Sequence, residues 1–225
     1  KTAYEITYGD WSSDVCSSDL TTRRNPGSCL NAGDIMTDNL KLDVLLSDNV
    51  LKEIKSRIIK HHELYDQKIS STLWEETLHK SFVSNNLKSS WKTYGHQSGT
   101  DVECEGVQIS CKSGVVKGKK IKKLVISSYR TTSLKTIEEK VDYLDQKHED
   151  IIFSLVSTDD NQYKIYVFTQ PKVKQLDWKE TKGQWRTVDE NTWNEFKISK
   201  SMSDQFWMNL SLDHWNIWGV KVYDL

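Results

Sequence analysis

One stretch of the chain, SGTDVECEGVQISCKSG at residues 98–114, places an acid, a lysine and an alternating apolar pattern side by side. Hydrolysis of a phosphodiester needs a divalent cation against the developing charge, carboxylates to hold it, and usually a positive group near the attacking water. Asp101 offers a carboxylate and Lys112 the positive group. Upstream, LWEETLHKSF offers Glu75, which shares a helical stripe with Leu78 and Phe82 and so lies on the side turned to a core. Glu76 falls with His79 and Lys80 on the opposite side.

These residues need elements to hold them. Leu42, Leu45, Leu46, Val50, Leu51, Ile54 and Ile58 recur at helical spacing within residues 38–66, with Ser47 or Asp48 as N-cap between two helices. SSTLWEETLHKSFVSNN is a second helical unit behind a Ser/Thr cap. From residue 100 the period becomes two: Val107, Ile109 and Cys111 alternate with Gln108, Ser110 and Lys112, which predicts a half-buried strand. A basic turn and the strand KLVISSYR follow. The stretch SLKTIEEKVDYLDQK then predicts a helix through Leu134, Ile137, Val141 and Leu144, leading into the strands DIIFSLVST and QYKIYVFT. Helix, strands, helix, strands points to an α/β fold with a central mixed sheet flanked by helices. After Pro171 the chain turns Trp-rich, with Trp178, Trp185, Trp193, Trp207, Trp215 and Trp218, and reads as short strands and loops.

The order of a helix glutamate, Gly-Thr-Asp and a strand carrying Ser-Cys-Lys resembles the PD-(D/E)XK nuclease superfamily, the fold of most type II restriction endonucleases. The resemblance spans roughly residues 70–170. It implies a restriction-endonuclease-like sheet, Mg2+ as cofactor, Asp101 and Glu75 as metal ligands, and Lys112 acting on the attacking water. The acidic position of the triplet is Ser110, a poorer ligand than a carboxylate. Some restriction enzymes with Ser-x-Lys recruit a glutamate from a neighbouring helix, and here Glu75, Glu138 or Glu139 would serve. Glu103 and Glu105, which share the parity of Asp101, are further candidates. The implied activity is Mg2+-dependent cleavage of duplex DNA by a homodimeric type II restriction endonuclease in a bacterial or archaeal cytoplasm. Two alternatives stay open: a repair or recombination nuclease of the same fold, and a DNA-binding module whose catalysis has lapsed.

Other features read more plainly. KSGVVKGKKIKK concentrates lysines, and Lys117, Lys119 and Lys120, with Tyr129 and Arg130 of SSYR, are the candidate DNA contacts; a solvated loop and a core tyrosine are the ordinary explanations. His61 and His62 read as solvated, and Cys104 and Cys111 as small apolar packing residues. The cysteines form no CxxC pair and no disulfide framework, which fits a reduced compartment. No apolar run approaches a membrane span.

The first twenty residues are of another kind. Asp10–Leu20, DWSSDVCSSDL, is the translation of a common short-read sequencing adapter, and Lys1–Ile6 is the translation of its upstream arm. Residues 1–20 therefore read as adapter-derived, residues 21–37 as a leader of open origin (native leader, linker or further artefact), and residues 38–225 as one nuclease-like domain whose Trp-rich part covers about 172–225. The whole chain has a net charge of −1; residues 1–20 hold one lysine and four acids, so without them the balance is 30 basic to 28 acidic residues, net +2. Any nucleic-acid surface must then be local. Deleting residues 1–20 is expected to leave the melting temperature unchanged; a fall of several degrees by calorimetry would show that they are part of the fold.

Overall fold

The periodic apolar residues after position 42 form helices as their spacing predicts. In the computed structural model, which describes residues 42–91, 100–147, 151–158, 162–200, 204–215 and 219–225, helix α1 is Asp48–Leu64 and follows a helical turn at residues 42–45. The expectations for residues 1–20, residues 21–37 and Trp218 lie outside these residues. α1 buries Val50, Ile54 and Ile58, one residue per turn. Helix α2, Ser71–Ser84, starts at Ser70, whose hydroxyl accepts the Leu73 amide, and buries Trp74, Leu78 and Phe82.

Eleven strands among the described residues make one mixed sheet. They are β1 (Ser89–Trp91), β2 (Val102–Cys104), β3 (Val107–Lys117), β4 (Lys123–Arg130), β5 (Ile151–Ser157), β6 (Tyr163–Thr169), β7 (Lys179–Thr181), β8 (Gln184–Asp189), β9 (Asn194–Ser199), β10 (Gln205–Ser211) and β11 (Lys221–Asp224). The order across the sheet is β11-β6-β5-β3-β4-β10-β9-β8-β7, with β2 on β3 and β1 on β2. β3 and β5 run parallel; every other pairing is antiparallel. The parallel step needs a crossover, and helix α3, Ile137–Asp145, lies in it. The chain is thus α/β, with a large mixed sheet and few helices.

Two apolar cores occupy the two sides. On one, α1 and α2 pack onto Val102, Ile109, Cys111, Phe153 and Ile165. On the other, Leu144 of α3 joins Leu124, Ile126, Ile152, Phe196, Phe206 and Met208. Cys104 and Cys111 are buried free thiols, as expected. No helix of the described residues is long and apolar enough to cross a membrane.

The fold departs from the sequence reading, or adds to it, in four places. β3 continues through Lys117, so the basic run is half strand, and the turn to β4 is short. Gly118 makes that turn possible: its φ is +105°, and a Cβ there would stand 2.0 Å from the Ile121 carbonyl oxygen. The Trp-rich tract forms short strands, as expected, and the spacing did not show that they belong to the main sheet: β10 extends it from β4 and β11 pairs with β6. His61 and His62 are part-exposed, and each also has a partner that the spacing did not show: His61 Nε2 donates to the Gln67 carbonyl at 2.8 Å, and His62 Nε2 shares a 2.8 Å hydrogen bond with the Tyr163 hydroxyl. Finally, α3 begins at a capping box of Thr136 and Glu139, leaving Leu134 outside the helix.

α3 also buries a charge that its pattern did not announce. Lys140 is 4% exposed, and its Nζ donates to the Thr131 carbonyl at 2.8 Å, the Leu134 carbonyl at 2.6 Å and Asp204 Oδ2 at 2.8 Å. This one ammonium ties the end of β4, the approach to α3 and the start of β10 together. Removing it leaves a carboxylate and two carbonyls without their donor. Lys140→Ala is expected to cost about 3 kcal/mol, as for a broken buried ion pair, read as a lower urea midpoint with an unchanged slope.

Candidate active site in the fork between strands

β3 has a partner on its β5 side throughout Ile109–Gly114. Its other edge is shared. β2 covers Val107–Ile109 and β4 covers Gly114–Lys117, so the edge between Ile109 and Gly114 pairs with neither. An unpaired main-chain amide there would be left without an acceptor. Asp101 meets the need: it stands just before β2, its own amide donates to the Ile109 carbonyl at 3.1 Å, and its Oδ2 accepts the Cys111 amide at 2.7 Å. The carboxylate takes the place that the next carbonyl of a longer β2 would hold.

The same Oδ2 accepts Lys112 Nζ at 3.0 Å and the Ser110 hydroxyl at 3.3 Å. All three donors address one oxygen, so Oδ1 has no hydrogen-bond partner among the described residues. Lys112 is held from a second direction, with its ammonium 5.8 Å from the centroid of the Tyr129 ring. The Tyr129 ring in turn meets Tyr143 of α3 edge-on at 6.3 Å. Ser110, 1% exposed, stands where the triplet would carry an acid, and here it donates to Asp101.

Glu75 joins this pair from α2. Leu78 and Phe82 seat its helix on Ile109 and Cys111, as the stripe predicted. Trp91 Nε1 donates to Glu75 Oε2 at 3.4 Å. Burial raises the Glu75 carboxyl above its ordinary range, and the charge of Asp101 raises it further, against smaller lowering effects of the Trp91 indole and Lys112. A carboxylate whose ionisation the charge of Asp101 opposes, beside an Asp101 oxygen lacking a hydrogen-bond partner among the described residues, suits a hard divalent cation. The nearby sulfur does not compete: burial, then the charge of Asp101, pushes the Cys111 thiol well above its usual value, so it remains neutral. A two-carboxylate site fits Mg2+, which keeps several waters and takes its remaining ligands from phosphate. Among the described residues no group of three or more His, Cys, Asp and Glu side chains forms a ready cage.

The other acids stand elsewhere. Glu139 Oε2 accepts the Lys135 and Thr136 amides at 2.7 and 3.2 Å, and these bonds hold its carboxyl below the ordinary range. Glu138 lines a cavity with Lys135, Lys140, Trp185, Lys200 and Asp204. The first turn of α3 thus lies beside Trp185 of β8 and beside Asp204, which precedes β10. Glu103 points outward from β2 between buried Val102 and Cys104. Glu105 is at the far end of β2, with φ +49° and Oε1 2.5 Å from the Lys88 amide. The parity argument for both fails because Asp101 lies beyond the end of β2 and reaches along the sheet edge.

The candidate DNA contacts also separate. Lys117, Lys119 and Lys120 sit at the exposed hairpin tip, and Lys117 is about 16 Å along the strand from Lys112 at 3.3 Å per residue. Arg130 ends β4 exposed, whereas Tyr129 is buried beside Lys112. Trp91 and Tyr143 belong to the site, and no spacing rule pointed to them, because each arrives through register or helix placement.

Comparison of the chain with models of protein families, with curated proteins and with solved structures finds no match.

The Glu75 shift has a signed consequence. Its carboxyl binds a proton more tightly folded than unfolded, so the benefit of the protonated form is complete below the ordinary carboxylate range and is lost as pH rises through the raised value. Glu75→Gln, which keeps an acceptor for Trp91, is expected to raise the metal-free melting temperature by about 1–3 °C at pH 7 and by nothing at pH 4. Added Mg2+ should stabilise the wild type more than the variant.

Proposed function

We propose that the chain is a Mg2+-dependent endonuclease that hydrolyses phosphodiester bonds of duplex DNA, of the type II restriction kind. The observation that carries the reading is the meeting, in one sheet fork, of the Asp101 carboxylate, the Lys112 ammonium 3.0 Å from it and a Glu75 whose ionisation Asp101 opposes. The resemblance to the PD-(D/E)XK superfamily and the order of helix, hairpin, helix and parallel strand around the fork support it.

Asp101, through Oδ1, and Glu75 would hold the cation, which when bound supplies charge against the developing pentacoordinate phosphate. Lys112, fixed between Asp101 and Tyr129, is the group placed to orient and polarise the attacking water. Ser110 holds the Asp101 carboxylate in place, so the missing acid is replaced by Glu75 from α2 and not by the hydroxyl itself. In-line attack then leaves a 5′-phosphate, as the resemblance implies. Cutting both strands of a palindromic site calls for two such centres, hence a homodimer. Ser110 also favours a second reading, a DNA-binding module that has lost catalysis.

Incubating a long mixed-sequence plasmid with wild type, Asp101→Ala, Lys112→Ala, Glu75→Gln and Glu138→Gln, in Mg2+ and in EDTA, separates these readings. Discrete fragments from wild type and Glu138→Gln are expected, with rates lower by about 10²–10³-fold or more for the other three. Gel-shift affinity should persist in all of them, because these groups act mainly on the transition state. A smear would mean a structure-directed or nonspecific nuclease. Intact DNA bound by every protein would leave the binding module.

A further inference from the structure

The side of the sheet that carries α1 and α2 is covered only in part. Along β4, β10, β9, β8 and β7, no residue of that side belongs to either apolar core; Leu124, Ile126, Met208, Phe196 and Ile198 all point the other way. The register gives the composition of the open side. Ser127 of β4 faces Trp207 of β10, Trp207 faces Lys197 of β9, Lys197 faces Arg186 of β8, and Arg186 faces Lys179 of β7. Directly paired residues share a side, so three cations stand in a row on consecutive strands, about 4.8 Å apart. At the β3–β4 hairpin Lys117 likewise faces Lys123.

Like charges directly opposite each other destabilise a sheet. The strands of this side carry one carboxylate, Glu195, which Lys123 contacts at 2.5 Å and whose carboxyl also feels Arg186. Lys179 has the exposed Asp177 at 3.3 Å, beyond the end of the strand. The row therefore holds more positive charge than its surroundings neutralise, and a polyanion is the chemistry that would relieve it. Lys197 Nζ lies 5.3 Å from the centroid of the Trp207 ring, so the ring braces a cation and is not presented bare for base stacking. That favours backbone phosphate over unpaired bases. From Ser127 to Lys179 the row crosses about 19 Å, at four strand spacings. Its inner end is the residue at which β4 parts from β3, and α2 brings Glu75 to the fork from this same side of the sheet.

We infer that this row, Trp207, Lys197, Arg186 and Lys179, is the seat of the sugar–phosphate backbone of duplex DNA that leads into the fork. The partner rests on the nuclease reading; the charge row does not depend on hydrolysis. The test is the triple variant Lys179→Gln, Arg186→Gln, Lys197→Gln, compared with wild type by fluorescence anisotropy on a labelled duplex in EDTA, between about 50 and 200 mM salt. The expected result is affinity at least tenfold lower at the low-salt end and a log–log salt slope smaller by about 2–3. The DNA-free melting temperature of the variant should equal or exceed that of wild type, since repulsion has gone. No duplex binding by wild type, or an unchanged slope in the variant, would overturn the inference. So would equal binding of phosphatidylserine vesicles, or a preference for single strands lost on Trp207→Ala and kept in the triple variant. If wild type binds duplex through these residues and cuts nothing in Mg2+, the inference stands and the hydrolytic reading falls; cutting with an unchanged slope gives the reverse.

Discussion

An amide donor on a bare stretch of strand edge organises this molecule. β2 is too short, and β4 joins β3 too late, to pair the segment between Ile109 and Gly114. The Cys111 amide is satisfied instead by a side chain, the Asp101 carboxylate. A carboxylate used as a main-chain acceptor is fixed in direction and retains a second oxygen. The arrangement of the fork follows from that substitution: Lys112 and Ser110 converge on the oxygen so fixed, and the carboxyl of Glu75, raised first by burial, is raised further by its charge.

The supports of the fork are distributed over both sides of the sheet. α2 brings Glu75 through the core of Leu78, Phe82, Ile109 and Cys111, while Tyr129 and Tyr143 brace Lys112 from the core shared with α3. The crossover through α3 is itself fastened by Lys140, whose ammonium joins three segments that are distant in the chain. A buried cation with three oxygen partners specifies one arrangement of those segments, since an alternative would leave the charge unsolvated.

The two halves of the sheet differ in how they are finished. Where α1 and α2 lie, the strands read as apolar on both sides, as in β5, Ile151–Ser157, whose inner residues are all buried. Beyond β4 the strands alternate, burying Phe196, Ile198, Phe206, Met208 and Leu210 on one side and presenting lysine, arginine and tryptophan on the other. Stability alone gives no reason to align Lys197, Arg186 and Lys179, whereas a polyanionic partner does.

Local physics made much of this legible in the sequence. The 3.6-residue stripes of Val50, Ile54 and Ile58 and of Leu78 and Phe82, the two-residue alternation of Val107, Ile109 and Cys111, and the order of helices and strands were all readable, because each depends on neighbours in the chain. Asp101, Lys112 and Glu75 were readable as a set for the same reason, since their types are rare together at the mouth of a strand and on the inner stripe of a helix. That Glu103, Glu105, Glu138 and Glu139 stand apart from the fork was not readable, because it turns on where each element ends, and β2 stops short of where its parity would have extended. Tertiary structure alone decided that Tyr129 lies beside Lys112, that Lys140 is buried, and that the Trp-rich tract extends the main sheet. Each of these rests on pairing between strands or on a partner more than fifty residues away, such as Asp204 for Lys140, and a contact at that separation leaves no period in the chain.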